Sequence, residues 1–190
     1  MNPENIRQIF KQFNCFMVLM WRLGLGRFIN CWPAGFGRIL VLTHTGRKSG
    51  LRRRTPLNYA IVDGQVYVLA GFGKKADWYK NLLANPHVEL WLPDGWWAGE
   101  VLPAPEPERQ LALIRQVLIN SGFAAPLFGI YPRRMSDAEL EQTVKDYELV
   151  RIRRGQAFSG AGGPGDLAWV WLVLLPVVLR WMRRRRKKGK

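Results

Sequence analysis

The run RILVLTHTGRKSGLRRRTPLNYAIVDGQVYVL, residues 38–69, decides the fold. Ile39, Leu40, Val41 and Leu42 make an unbroken apolar stretch of strand length, which the glycines, lysine and serine of 46–50 interrupt. A second strand is predicted over 55–62. Asp63-Gly64 then suits a tight hairpin turn, because both central positions of that turn favour residues that accept positive φ, and Val66-Tyr67-Val68-Leu69 returns as a third strand. Short strands joined by tight turns run antiparallel.

Working outward, residues 75–85 read as a helix stopped by Pro86. Strands follow at 88–92 and 96–102, flanking Pro93-Asp94-Gly95. Pro107 opens a helix to about residue 120 with Leu111, Ile114, Val117 and Leu118 on one face, and Ser136 with Glu139 matches a capping box. A last strand is predicted at 147–152. Upstream, Ile6, Ile9, Phe10, Phe13, Phe16, Met17 and Met20 recur at helical steps, and Gly24 and Gly26 end that helix. The fold class is α+β: a small split β-barrel with flanking helices and a C-terminal membrane-associated helix.

The expected organisation is an N-terminal amphipathic helix and lead-in (1–35), a barrel domain (36–154), a Gly-rich linker (155–166) and an apolar anchor with a polybasic tail (167–190). The tail carries eight of the cations behind the formal charge of +15, and the remaining body is still basic. Nucleic acid, anionic lipid and a phosphate-rich cofactor all suit such a balance. Two cysteines, Cys15 and Cys31, suggest neither a disulfide framework nor a zinc site, and His44 and His87 lack companions at ligand spacing, so no metal is expected.

Thr45-Gly46-Arg47-Lys48-Ser49-Gly50 sets two glycines around two cations and two hydroxyls. Its backbone amides can turn inward while its side chains offer donors to one anion. The residues alone leave two readings, a solvated basic turn or a phosphate cradle. Arg52, Arg53 and Arg54 follow where side chains alternate between faces, so Arg53 opposes the other two. A Walker loop is excluded: the spacing around Gly73-Lys74 is wrong and no Ser or Thr follows.

This turn, then Arg53 with Thr55-Pro56-Leu57, Gly71-Phe72-Gly73, and Asp77-Trp78-Tyr79-Lys80-Asn81-Leu82 with Ala84-Asn85-Pro86, resembles the deazaflavin (coenzyme F420)-dependent nitroreductase and quinone reductase family. The match is good over about residues 23–92. The resemblance implies a split barrel and F420 as cofactor, with Arg47, Lys48 and Arg53 on its phosphate and acidic tail. It implies that Ala70, Gly71, Phe72, Gly73 and Lys74 lie against the deazaflavin ring, and that the helix bearing Trp78, Tyr79 and Asn81 closes the site. Trp78 and Leu82, four apart, equally suit one face packed on a core.

The expected reaction is hydride transfer from reduced F420 to an electron-poor small molecule: a quinone, an enone or a nitro compound. Tyr59 and Tyr131 are the candidate catalytic proton donors, each also readable as a packing residue. The sequence has only Tyr131 and Tyr147 after the long helix, where better-known relatives have a cluster of tyrosines, which leaves the acceptor open. Alternatives are an FMN-dependent reductase or oxidase on the same barrel, and a non-catalytic membrane-associated cofactor-binding protein. Either a monomer or a homodimer is compatible.

Residues 167–182 would make a helix of about 24 Å, against about 30 Å of hydrocarbon. A crossing with Arg183 to Lys190 inside would put the catalytic domain outside, so the expectation is a peripheral or monotopic helix on the cytoplasmic side of the cell membrane, with Trp169, Trp171 and Trp181 among anionic headgroups. A tryptophan-rich apolar run has no use on a phosphate backbone, and no nucleic-acid partner is expected.

Overall fold

The computed structural model describes residues 3–30, 37–176, 178 and 180. Cys31, Trp181 and the polybasic tail lie outside the described residues. Six strands close into an antiparallel barrel: β1 (Ile39–Thr45), β2 (Arg52–Val62), β3 (Gln65–Ala70), β4 (His87–Leu92), β5 (Gly95–Leu102) and β6 (Glu148–Phe158), in the order β1-β2-β3-β6-β5-β4. All six predicted strands are present. Asp63 (φ 49°) and Gly64 (φ 73°) make the turn between β2 and β3, and Pro93-Asp94 joins β4 to β5.

Alternation along the strands divides two sets of apolar side chains. Leu40 and Leu42 of β1, Tyr59 of β2, Val66 and Val68 of β3, and Val150 and Ile152 of β6 fill one core cluster in the barrel. Val41 and Trp91 point outward and are covered by Trp21 of α1 (Pro3–Arg22). That double burial explains why β1 reads as a continuous apolar run. On another side Ala60 and Tyr67 lie beneath Leu113 and Val117 of α4 (Pro107–Asn120), which follows α2 (Gly26–Ile29) and α3 (Asp77–Ala84) in the chain. Two short helices, α5 (Ala124–Leu127) and α6 (Asp137–Val144), complete a satellite core with α4. The capping box at Ser136 is formed as predicted.

The Gly-rich stretch departs from expectation. Strand β6 continues to Phe158, four residues into the predicted linker, because 157 and 158 pair with Trp97 and Trp96 of β5. Beyond it Asp166 receives a two-pronged hydrogen bond from Arg22, and the amides of Gly165 and Leu167 donate to Trp21 and Arg22 carbonyls at 2.9 Å. Gly163 lies flat on Trp96, where a Cβ would come within 2.5 Å of the ring. Glycine is needed here for close approach. Among the described residues no helix is long and apolar enough to cross a membrane.

Candidate functional site

The basic turn joins β1 to β2, and α3 caps the same end of the barrel, with Leu82, Trp78 and Tyr79 packed on the interior cluster. Registering β1 against β2 pairs His44 with Arg53 and Leu42 with Thr55. Directly opposed residues share a face, so His44, Arg53 and Thr55 lie on the interior side with Leu42, at the barrel mouth. Arg52 and Arg54 face outward, as the alternation required. Arg52 pairs with Glu89 at 2.6 Å. Arg54 stacks over Trp91, 4.5 Å from the ring centroid, and donates to the Gly162 carbonyl.

The turn uses its own amides. Gly46 donates to Leu51, and Ser49 and Gly50 both donate to the Gly46 carbonyl. The Arg47 amide donates to Asn81 Oδ1 at 3.1 Å. Four of the five amides of 46–50 are thus taken within the protein, which corrects the expectation of amides turned toward an anion. Arg47 is engaged within the protein. Its guanidinium donates to Asn81 Oδ1 at 2.9 Å and to Asp77 Oδ1 at 2.9 Å, tying the turn to α3. The hydrogen bond from Arg47 holds the Asp77 carboxyl below its ordinary range. Lys48 and Arg53, both exposed, form no ion pair among the described residues. Ser49 is exposed and Leu57 is half-buried on the interior side, whereas Thr45, opposite Arg52, and Pro56, opposite Val41, are half-buried on the outer face of the barrel.

Behind the turn sits His44, 4% exposed. Burial, and then the charge of Arg53, lower its pKa to about 4. It is uncharged at neutral pH, with Nε2 3.1 Å from Thr55 Oγ1 and Nδ1 3.2 Å from Asn81 Nδ2.

The loop after β3 lies at the same end. Ala70 is buried, Gly71 and Phe72 are exposed, and residues 73–75 form a 3-10 turn. Gly73 has φ 54°, and a Cβ there would stand 2.1 Å from the Asp146 carbonyl oxygen, so this glycine is required by the fold. A Cβ on Gly71 would meet only the Tyr147 ring at 3.8 Å, an ordinary contact. Tyr79 donates from its phenol to Glu148 Oε2 at 3.1 Å, and Lys74 Nζ is 3.8 Å from the other oxygen of that carboxylate. Burial, then the Glu148 hydrogen bond, raise the Tyr79 pKa.

The two candidate proton donors are not brought to this mouth. Tyr59 is buried in the barrel core opposite Val68 of β3, and burial raises its phenol pKa. Tyr131 is half exposed beside a groove of about 480 Å³ bordered by Leu118, Phe123 and Pro126. Sequence reasoning overlooked Tyr147 and Glu148. Their signal was positional, since the start of β6 is registered against Ala70 at the end of β3. It also set His44 aside as a non-ligand. Among the described residues no group of His, Cys, Asp and Glu could hold a metal ion.

Residues 24–125, more than half of the chain, match the profile of the F420H(2)-dependent quinone reductase family. The chain belongs to that family. Its cofactor is F420, and the protein is an F420H(2)-dependent oxidoreductase by family. Similar solved structures include an F420-H2-dependent reductase (24% identity, 60% of this chain and 92% of that one, TM-score 0.40). A protein described as a domain-swapped dimer has 25% identity over 60% of this chain and 78% of its own, with a TM-score of 0.42. A FAD-binding protein of Mesorhizobium loti has 20% identity over 65% and 85%, with a TM-score of 0.41. The family assignment rests on the 24–125 match. At the mouth of this quinone reductase family member two cations without ion pairs among the described residues stand beside a hydroxyl, a donor set that suits an anion.

Proposed function

We propose that the protein reduces an electron-poor small molecule, a quinone, an enone or a nitro compound, at the cytoplasmic surface of a membrane. The observation that carries the cofactor placement is the pair Lys48 and Arg53, exposed and without ion pairs among the described residues, at the mouth that α3 and the 71–74 loop share. Lys48 and Arg53 bind the phosphate and acidic tail of F420, and Thr55 adds a hydroxyl. When bound, reduced F420 supplies the hydride. Gly71, with room above it, lets the loop backbone lie against a planar ring, and α3 excludes water with Trp78. Tyr147 and the Tyr79–Glu148 pair are the phenols beside that loop, and either can supply the proton that turns a reduced quinone oxygen into a hydroxyl.

Support for the membrane reading comes from the exposed apolar residues at both ends of the described chain. Trp169, Leu172, Val173 and Leu175 are exposed where the chain turns helical at 170, and Phe13, Phe16 and Leu19 are exposed on α1. The Trp171 indole donates to the Leu23 carbonyl at 2.9 Å, which holds the two segments together. Scattered single apolar residues are ordinary, but a joined set suits a lipid interface. Mixing the purified protein with reduced F420 and menadione tests the catalytic part. Protein-dependent deazaflavin reoxidation is expected, and its absence together with absence of binding overturns the proposal.

A further inference from the structure

Asn81 is 6% exposed and its orientation is fixed by chemistry. Two donors, the amide and the guanidinium of Arg47, converge on one end of its side chain at 3.1 and 2.9 Å, so that end is the carbonyl oxygen. The NH2 end therefore faces His44 Nδ1 at 3.2 Å. A nitrogen receiving that donor must offer its lone pair, so the imidazole hydrogen sits on Nε2 and is donated to Thr55 Oγ1 at 3.1 Å. The Thr55 oxygen, having accepted, keeps its own hydrogen. No acceptor for it occurs among the described residues, and Thr55 shares its face with Arg53 two residues away.

We propose that His44 and Asn81 are positioning residues for the anion cradle: through one chain of hydrogen bonds they aim the Thr55 hydroxyl hydrogen at the barrel mouth and fix the backbone of Arg47. This rests on the placement of the F420 phosphate at that mouth. It gives Arg47 a role different from that of its neighbours Lys48 and Arg53. Arg47 holds the turn at one end of the chain, Thr55 donates at the other, and both are set before the ligand arrives. Pre-set donors bind an anion without the ordering cost that a mobile turn would add.

Glutamine can reproduce the histidine's two contacts, its oxygen accepting from Asn81 and its amide donating to Thr55, whereas leucine can do neither. F420 dissociation constants are measured for the wild type, His44→Gln, His44→Leu and Asn81→Leu, with thermal midpoints for each. Nitrogen-15 chemical shifts of His44 are recorded in the unliganded wild type. The expected results are an Nε2-protonated imidazole, about tenfold weaker binding in both leucine variants and near wild-type binding in His44→Gln, since each lost hydrogen bond is worth roughly that factor. An Nδ1-protonated imidazole, or unchanged affinity in the leucine variants, overturns the proposal while leaving the cofactor placement intact. Where a leucine variant does not fold, the wild-type shifts and the glutamine variant decide. A wild type that binds no F420 overturns the cofactor placement and the proposal with it.

Discussion

Asn81 Oδ1 accepts hydrogen bonds from both the backbone amide and the guanidinium of Arg47, so a single buried oxygen on α3 holds the basic turn in place. Through it the turn, α3 and His44 form one hydrogen-bonded unit over the barrel mouth. The turn's charge is thereby divided. Arg47 is engaged within the protein, whereas Lys48 and Arg53 form no ion pair among the described residues, and the proposed function assigns those two to the ligand.

That division predicts an ordering among alanine variants. Lys48→Ala and Arg53→Ala each weaken F420 binding by about tenfold, the scale of one charge-assisted contact, with little change in thermal stability. Arg52→Ala, which removes only an outward pair with Glu89, leaves affinity within about twofold, the usual reach of an exposed pair. Fluorescence titration of F420 against the variants reads the order directly.

Arg54→Ala behaves differently. Its guanidinium lies over Trp91 and reaches the Gly162 carbonyl, so its loss uncovers the outer wall of β1 and β4 and releases the segment after β6. A destabilisation of about 1 to 2 kcal/mol is expected, with binding retained. Chemical denaturation checks it.

The two loop glycines separate structure from function. Gly73→Ala forces positive φ on a side chain and sets its Cβ against the Asp146 carbonyl, costing about 2 kcal/mol or more. Gly71→Ala fits beside Tyr147 without shift and leaves the melting temperature nearly unchanged, but it places a methyl where the deazaflavin ring is expected and weakens binding. Calorimetry and titration of the two variants distinguish these outcomes.

His44 gives a pH dependence whose sign follows from its lowered pKa. Between the unfolded value of 6.5 and the folded value of about 4 the unfolded chain binds the extra proton, so stability from this residue is full above pH 6.5 and falls as pH drops toward 4. The loss is on the order of 3 kcal/mol across that window. His44→Gln removes this component, which denaturation at pH 7 and pH 4.5 measures by difference.

Much of the fold was legible because local chemistry and packing agree. Asp63-Gly64 specifies its hairpin by positive φ, Ser136 and Glu139 specify their cap, and Ile39 to Leu42 are apolar on both faces since one meets the barrel and the other α1. The end of β6 was hidden because Gly155 and Gly160 look like linker, whereas the pairing of 157 and 158 with Trp97 and Trp96, 60 and 62 residues earlier, is a long-range fact. At the site, alternation correctly set Arg53 apart from Arg52 and Arg54. What could not be read was how Arg47 is engaged, by Asn81 and Asp77, since those contacts depend on α3 folding back over β1, which no local pattern encodes.

The most direct measurement of the central claim is a titration of the purified wild-type chain with F420, paired with the same titration of the Lys48→Ala, Arg53→Ala double variant. Saturable binding by the wild type that the double variant weakens by about a hundredfold, two contacts of tenfold each, is the predicted result. Equal affinity of the two proteins for F420, or no binding by a folded wild type, would contradict it.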